Sequence, residues 1–460
     1  MSQKTAVQKL KEIESTYNVD KITYKGISFW PVFRVYIGSQ LIFNHDRSMR
    51  PTGSVIKKGL RYFLRGLGYW FKKYDQVSFT SSDQRKEIQG KRIERTDFIP
   101  KDIGSTLIIE TPMPEHENPD KYNTNTASHM FMYVLEFVKI KFYSCKESDF
   151  EGLDILNKIQ DNYDVKVDHK FLAKRFRAQF STVQFLNRRW KLKRVFMTTP
   201  YTRFGYVYYF KQNNIPVIEF QHGVINKEHN AYNVFINCDD KFYPDYLLTF
   251  GERETEVFFE SEYVKRSKCF PIGSFYIDHI AHKEMENKIK YKYSGYKSYL
   301  AVTLQDMFDD QLLSFLEAVY SELEDHLFVL IPRNKTESDY RKKYSFPKNV
   351  VFIPELNTYE IMKMCDIHTT INSTTALEAP SIGTANVLVN IENRSKQYFA
   401  NILTDEKVNR FANTPQEYIT FIRSNEELAP QVIIESNEAV FKSGFEFNLK
   451  DSLERIDGDL

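Results

Sequence analysis

The chain has 460 residues, 42% hydrophobic and 27% charged, longer than one hydrophobic core usually supports, so two domains are expected. Its net charge of +2 provides no electrostatic field arguing for nucleic acid as a partner. Cys145, Cys238, Cys269 and Cys365 lie far apart without a CxxC pair, which argues against a zinc site and a disulfide scaffold and fits a reducing compartment.

Residues 1–18 read as a short polar helix with no apolar signal core, and no run of 18 apolar residues follows, so the expected location is the cytoplasm. ITYKGISFWPVFRVYIGSQLIF (22–43) reads as a short extended piece leading into an aromatic helix. SVIKKGLRYFLRGLGYWFKKY (54–74) carries Lys57, Lys58, Arg61, Arg65, Lys72 and Lys73 and no acidic residue. Ile56, Leu60, Phe63, Leu64, Leu67, Trp70 and Phe71 fall mostly on one broad stripe at helical spacing. Such a basic amphipathic helix suits an anionic bilayer surface; it equally suits a core helix with a solvated basic face, and Gly59, Gly66 and Gly68 weaken it.

From residue 75 the pattern is α/β. Strands are expected at 77–81, 106–111, 138–144, 195–199, 215–220, 246–251 and 269–274, with helices at 150–163, 169–190 and 203–213 among them. A polar linker at 282–298 precedes a cleaner alternation. There the strands are 299–305, 326–332, 349–354, 367–372 and 385–391, and the helices 309–325, 358–366 and 373–383. Apolar strands alternating with amphipathic helices indicate parallel sheets covered on both faces. The expected fold class is α/β with two Rossmann-like domains facing a cleft, 1–285 and 286–460.

In such sheets ligands bind at the carboxyl ends of strands. Asn372-Ser373-Thr374-Thr375 follows a strand and opens a helix, where free N–H groups and hydroxyls favour a phosphate; Glu378, one turn on, would reach a ribose hydroxyl. Plain N-capping explains the same residues. Gln221-His222-Gly223 follows another strand, with Gly223 permitting a positive φ or a close approach and His222 placed as a general base or a structural hydrogen-bonding group. Arg333 and Lys335 follow the strand 326–332 and suit a diphosphate or a solvated loop. Thr303, Gln305 and Gly273 are further donor-side candidates, Tyr201 and Arg203 acceptor-side ones, and Glu110, Glu115 and His116 offer an alternative base.

The NSTTALEA element with its flanking strands and Gly383 resembles the donor-binding turn of GT-B glycosyltransferases, over about residues 299–420. The QHG loop is similar to that of bacterial capsule and lipopolysaccharide glycosyltransferases, and to the WHG loop of CDP-glycerol glycerophosphotransferases. The resemblance implies nucleotide-phosphate binding by Ser373, Thr374 and Thr375 and catalysis by His222. Where related capsule enzymes show His-Pro, this chain has Pro332-Arg333.

GxxxxGK[ST], HExxH, GxSxG and strand-linked GxGxxG are absent, and Asp239-Asp240 and Asp309-Asp310 are plain acidic pairs rather than DxD metal carriers. The expectation is therefore a metal-independent glycosyltransferase with no cofactor. It would take a nucleotide-sugar donor and a lipid-linked or oligosaccharide acceptor in bacterial surface-polysaccharide synthesis, with peripheral contact at the anionic inner membrane. A CDP-glycerol-type polyol-phosphate transferase, a sugar-nucleotide 2-epimerase and a non-catalytic GT-B subunit of a capsule assembly complex are the alternatives.

Overall fold

In the computed structural model, the described residues are 4–43, 57, 59, 61–113, 115–424 and 428–459. The chain divides into two units: Met1–Thr249 with Thr255–Phe270 and Leu449–Leu460, and Phe250–Glu254 with Pro271–Asn448. The C-terminal helix Phe445–Asp459 thus begins in the second unit and ends in the first, where Arg194 Nη2 pairs with Asp457 at 2.8 Å.

The first unit is built on the strands β1 Gln76–Ser81, β2 Thr106–Thr111, β3 Thr126–Ser128, β4 Arg194–Met197, β5 Val217–Phe220, β6 Tyr246–Thr249 and β7 Cys269–Pro271. Their spatial order is 7-6-5-4-1-2-3. The pairings β1–β2, β1–β4, β2–β3, β4–β5 and β5–β6 are parallel. Neighbouring residues on one strand, such as Ile108 with Ile109 and Val195 with Phe196, are all buried, as a sheet covered on both faces requires. One core layer joins Val77, Phe79, Leu107 and Val195 to Tyr206, Val207 and Phe210 of the helix Phe204–Gln212.

In the second unit the strands are β8 Ser298–Thr303, β9 His326–Ile331, β10 Val350–Phe352, β11 Ile367–Thr369, β12 Ala385–Val389 and β13 Asn409–Ala412, in the order 10-9-8-11-12-13 and all parallel. Both sheets reverse their winding direction beside their first strand, between β1 and β4 and between β8 and β11. Loops leaving the carboxyl ends of those strands diverge to opposite faces, which leaves a crevice for a ligand.

Two expected elements differ. Residues 138–144 are not a strand but the end of the helix Met130–Phe142. There Val138, Ile140 and Phe142 are β-branched or aromatic, so composition favours a strand, while packing against the helix His169–Asn187 selects the helical spacing. The segment 54–74 is not one continuous helix. Residues 54–56, 58 and 60 lie outside the described residues; beyond Tyr62 the chain turns through left-handed Gly66 (φ 70°) into the 3-10 turn Leu67–Tyr69. Trp70 then enters the core, its ring stacked on Trp190 with centroids 6.1 Å apart. Glycine breaks the helix where an amphipathic stripe alone would continue it.

Candidate functional sites

In the second unit the hydroxyl-rich turn sits at the winding reversal. Thr303 at the end of β8 places its Oγ1 3.0 Å from Thr375 Oγ1 and 3.0 Å from His368 Nε2. Gln305 Oε1 accepts from the Asn372 N–H at 3.2 Å, and the Thr370 hydroxyl donates to the Thr303 carbonyl at 3.1 Å. The turn is held from below by His368, buried and kept neutral because burial lowers its pKa to about 4; its Nδ1 lies 2.8 Å from Asn386 Oδ1. Asp306, in the left-handed region at φ 56°, bends the chain away after β8, a conformation that costs energy outside glycine.

These contacts bring Thr303, Gln305, Asn372, Ser373 and Thr375 together, with Thr374 exposed and Ser373 half-buried at the surface of the turn. The helix that follows, Thr375–Ser381, has no side-chain cap among the described residues, and Ser373 Oγ accepts a long bond, 3.4 Å from the Thr375 N–H. Glu378 accepts from the Tyr359 hydroxyl at 3.1 Å. Arg333 is exposed and engages no ion pair among the described residues, while Lys335 is paired to buried Asp309 at 3.0 Å. Gly273, at φ 80°, has the Lys442 carbonyl packed where a side chain would stand, so the chain's own packing requires glycine there.

In the first unit, His222 follows β5. Its Nδ1 is buried without a hydrogen-bond partner, and its Nε2 lies 3.4 Å from the Tyr201 hydroxyl. Burial, with His229, Arg95 and Arg203 nearby, lowers the imidazole pKa to about 3. Gln221 Nε2 donates to the Gly223 carbonyl at 2.8 Å, and Arg95 donates to the Gln221 carbonyl. Gly223 has neither a positive φ nor a close neighbour: a Cβ there would meet nothing within 4 Å, so the loop borders open space.

Tyr201 comes from the end of β4. There Thr199, a β-branched residue, is forced to φ 53°, and Arg203 Nη1 bonds the Thr198 carbonyl at 2.7 Å and Thr199 Oγ1 at 3.2 Å. Sequence reasoning missed His229, seven residues after His222 in the same loop. Its ring packs on Tyr232, centroids 4.6 Å apart, and burial lowers its pKa to about 4. The loop is fixed from the N-terminal helices. Glu14 pairs with Arg34 at 2.6 Å, and Arg34 in turn donates to the carbonyls of Asn230 and Asn233. Beneath it Glu219, fully buried on β5, accepts from Tyr232 at 2.7 Å and Tyr263 at 2.6 Å; burial raises its pKa to about 8.

Glu110 and Glu115 do not join this cluster. Glu110 is fully buried, bonded by Arg85, by His116 at 2.7 Å and by Tyr122 at 2.8 Å. Burial raises its carboxyl, and the His116 and Arg85 contacts outweigh this to leave the pKa lowered. Glu115 is exposed and pairs with Arg61 at 2.7 Å. Among the described residues no group of three or more His, Cys, Asp or Glu is arranged to hold a metal ion, and no helix is long and apolar enough to cross a membrane.

No family model and no curated protein matches this sequence. Among solved structures, the chain is similar to a protein described as a UDP-N-acetylglucosamine 2-epimerase from Listeria monocytogenes, at 10% identity over 84% of this chain and 96% of that one, with a TM-score of 0.50. It is similar to the glycotransferase of kitacinnamycin at 12% identity over 83% and 98%, TM-score 0.50. The calicheamicin glycosyltransferase CalG4 is similar at 10% identity over 84% and 99%, TM-score 0.50. At these identities the likeness establishes the fold alone: two Rossmann-like domains of the GT-B type.

Proposed function

We propose that the protein is a glycosyltransferase that moves a sugar from a nucleotide-sugar donor to an acceptor hydroxyl. The observation that carries this reading is His222: an imidazole following a strand's carboxyl end, in a loop that borders open space, with an Nδ1 that has no partner among the described residues. His222 takes the proton of the acceptor hydroxyl as its oxygen bonds to the anomeric carbon and the bond to the donor phosphate breaks. The turn of the second unit, considered by itself, offers the hydroxyls of Ser373 and Thr374 to the phosphates of a nucleotide. His222→Ala is expected to lower transfer about 10²–10⁴-fold with the circular-dichroism melt unchanged. A variant at full rate would remove His222 from the mechanism.

The fold also occurs in a protein described as an epimerase, which favours a second reading, inversion at a carbon of the same nucleotide-sugar without an acceptor. Product analysis separates these. Transfer from a nucleoside-diphosphate sugar releases the nucleoside diphosphate, epimerisation returns a nucleotide-sugar, and a polyol-phosphate transferase of the CDP-glycerol type releases CMP, as only a transferase using a CMP-sugar would also do.

The acceptor is lipid-linked in this reading, as in bacterial surface-polysaccharide synthesis, and the first unit rests on an anionic bilayer. Support comes from Leu64 and Phe71, 65% and 53% exposed beside Arg61, Lys72 and Lys73. Each basic residue near such a surface contributes about 1 kcal/mol. Flotation with phosphatidylglycerol vesicles is expected to carry the wild-type chain and to leave Leu64→Ser/Phe71→Ser behind; equal flotation of both would refute this placement.

A further inference from the structure

Arg34, Arg85, Arg194 and Arg203 are the buried arginines among the described residues. Arg34 pairs with Glu14, Arg85 with Glu110 and Asp97, and Arg194 with Asp457. Arg203, 8% exposed, has no carboxylate at ion-pair distance among the described residues, the buried Glu136 lying only within electrostatic reach: Nη1 is bonded to the neutral oxygens of Thr198 and Thr199, and Nε is buried without a partner. Enclosing a guanidinium without a counter-ion is strongly unfavourable. Its position worsens this, because Arg203 immediately precedes the helix Phe204–Gln212, whose positive dipole end repels a cation. The other three buried arginines are ion-paired at contact distance and this one is not, so its Nε is free to meet an anion.

The surroundings agree. Arg203 and Arg95 both lie within electrostatic reach of the His222 ring, as does His229. Arg95 has Glu94 Oε1 at 3.8 Å, whereas Arg203 has no carboxylate that close among the described residues. His222 Nδ1 and His229 Nδ1 are both buried with no partner, and Tyr201 stands between the two rings, with centroids 6.3 and 6.1 Å from them. A guanidinium edge, two idle imidazole nitrogens and a phenol are donors or potential donors for an oxyanion. Left-handed Thr199 holds the strand end in the conformation that presents Arg203, and the loop at Gly223 borders open space.

We infer that Arg203, with His222, His229 and Tyr201, binds a phosphate-type oxyanion on the ligand of the first unit. Resting on the transferase reading, this makes the acceptor a phosphorylated molecule, held by its anionic group beside the imidazole that activates its hydroxyl. The guanidinium binds the oxyanion in bidentate fashion.

The test is a titration of the full-length chain, labelled with ¹³C at histidine Cε1, in the Ser373→Ala/Thr374→Val background so that the hydroxyl turn of the second unit does not contribute. Inorganic phosphate and pyrophosphate are the probes, with acetate for a carboxylate. The His222 and His229 resonances are expected to shift and saturate with pyrophosphate, with at least tenfold weaker binding in Arg203→Gln and partial recovery in Arg203→Lys, which also serves if the glutamine variant fails to fold. Unmoved resonances, equal affinity in Arg203→Gln, or saturation by acetate but not by phosphate would overturn the inference. Pyrophosphate binding without sugar transfer would sink the transferase reading and keep the anion site; transfer without pyrophosphate binding would do the reverse.

Discussion

At the scale of single residues, chemistry follows from what each side chain has been denied. His222 has lost water and gained only a distant phenol, so its pKa falls to about 3, while His229 falls to about 4 for the same first reason, burial. An unfolded histidine titrates near 6.5, so as pH falls below about 6.5 the unfolded chain takes up protons that these rings refuse. Their contribution to stability is intact above pH 6.5 and is lost progressively as pH drops toward 4. Glu219 acts in the opposite sense: burial raises it to about 8, so its contribution is full at low pH and is lost as pH rises through 8. In urea unfolding at pH 6, 5 and 4, His222→Gln should flatten the acid slope by up to about 1.4 kcal/mol per pH unit relative to wild type. Parallel curves would mean that His222 is not held neutral. His222 was legible in the sequence because a strand, a polar pair and a glycine mark it. His229 carried a weaker signal, a second imidazole in the same loop. Arg95 carried none: it comes from the 3-10 turn Arg95–Phe98, remote in sequence, and only tertiary folding brings it to the Gln221 carbonyl.

At the scale of elements, strand ends aim the side chains and helix contacts fix the strand ends. The helix Phe204–Gln212, which Arg203 precedes, lies against His169–Asn187 through Gly205, where a Cβ would stand 2.6 Å from Gln179 Cβ and against the Phe176 carbonyl. Gly205→Ala must push the two helices apart, at a cost of about 1–3 kcal/mol, and should lower the urea midpoint while leaving the m-value unchanged. An unshifted midpoint would show that the contact yields freely. Apolar runs such as TLIIET and ANVLVNI were readable as strands because both faces of each sheet are covered. The helix Met130–Phe142 was not, because β-branched and aromatic residues carry no strand-specific information once packing sets the period. Nor was the three-residue β3, too short for any periodic pattern.

At the scale of the whole molecule, one plan is used twice: a parallel sheet whose winding reverses beside its first strand. That repetition was visible in the sequence as two alternating blocks with a polar joint. The return of the C-terminal helix to the first unit was not, since pairing of Arg194 with Asp457 joins residues far apart in the chain. Function on this scale reduces to whether the hydroxyl turn after β11 binds a nucleotide. The most direct measurement is thermal unfolding of the purified chain with UDP, GDP, CMP and CDP, compared with Ser373→Ala/Thr374→Val. One nucleotide at 100 times its Kd should stabilise the wild-type chain by about 2.7 kcal/mol and leave the double variant's melt unmoved. Silence across all four nucleotides, or an equal shift in the variant, would contradict a donor site built on that turn.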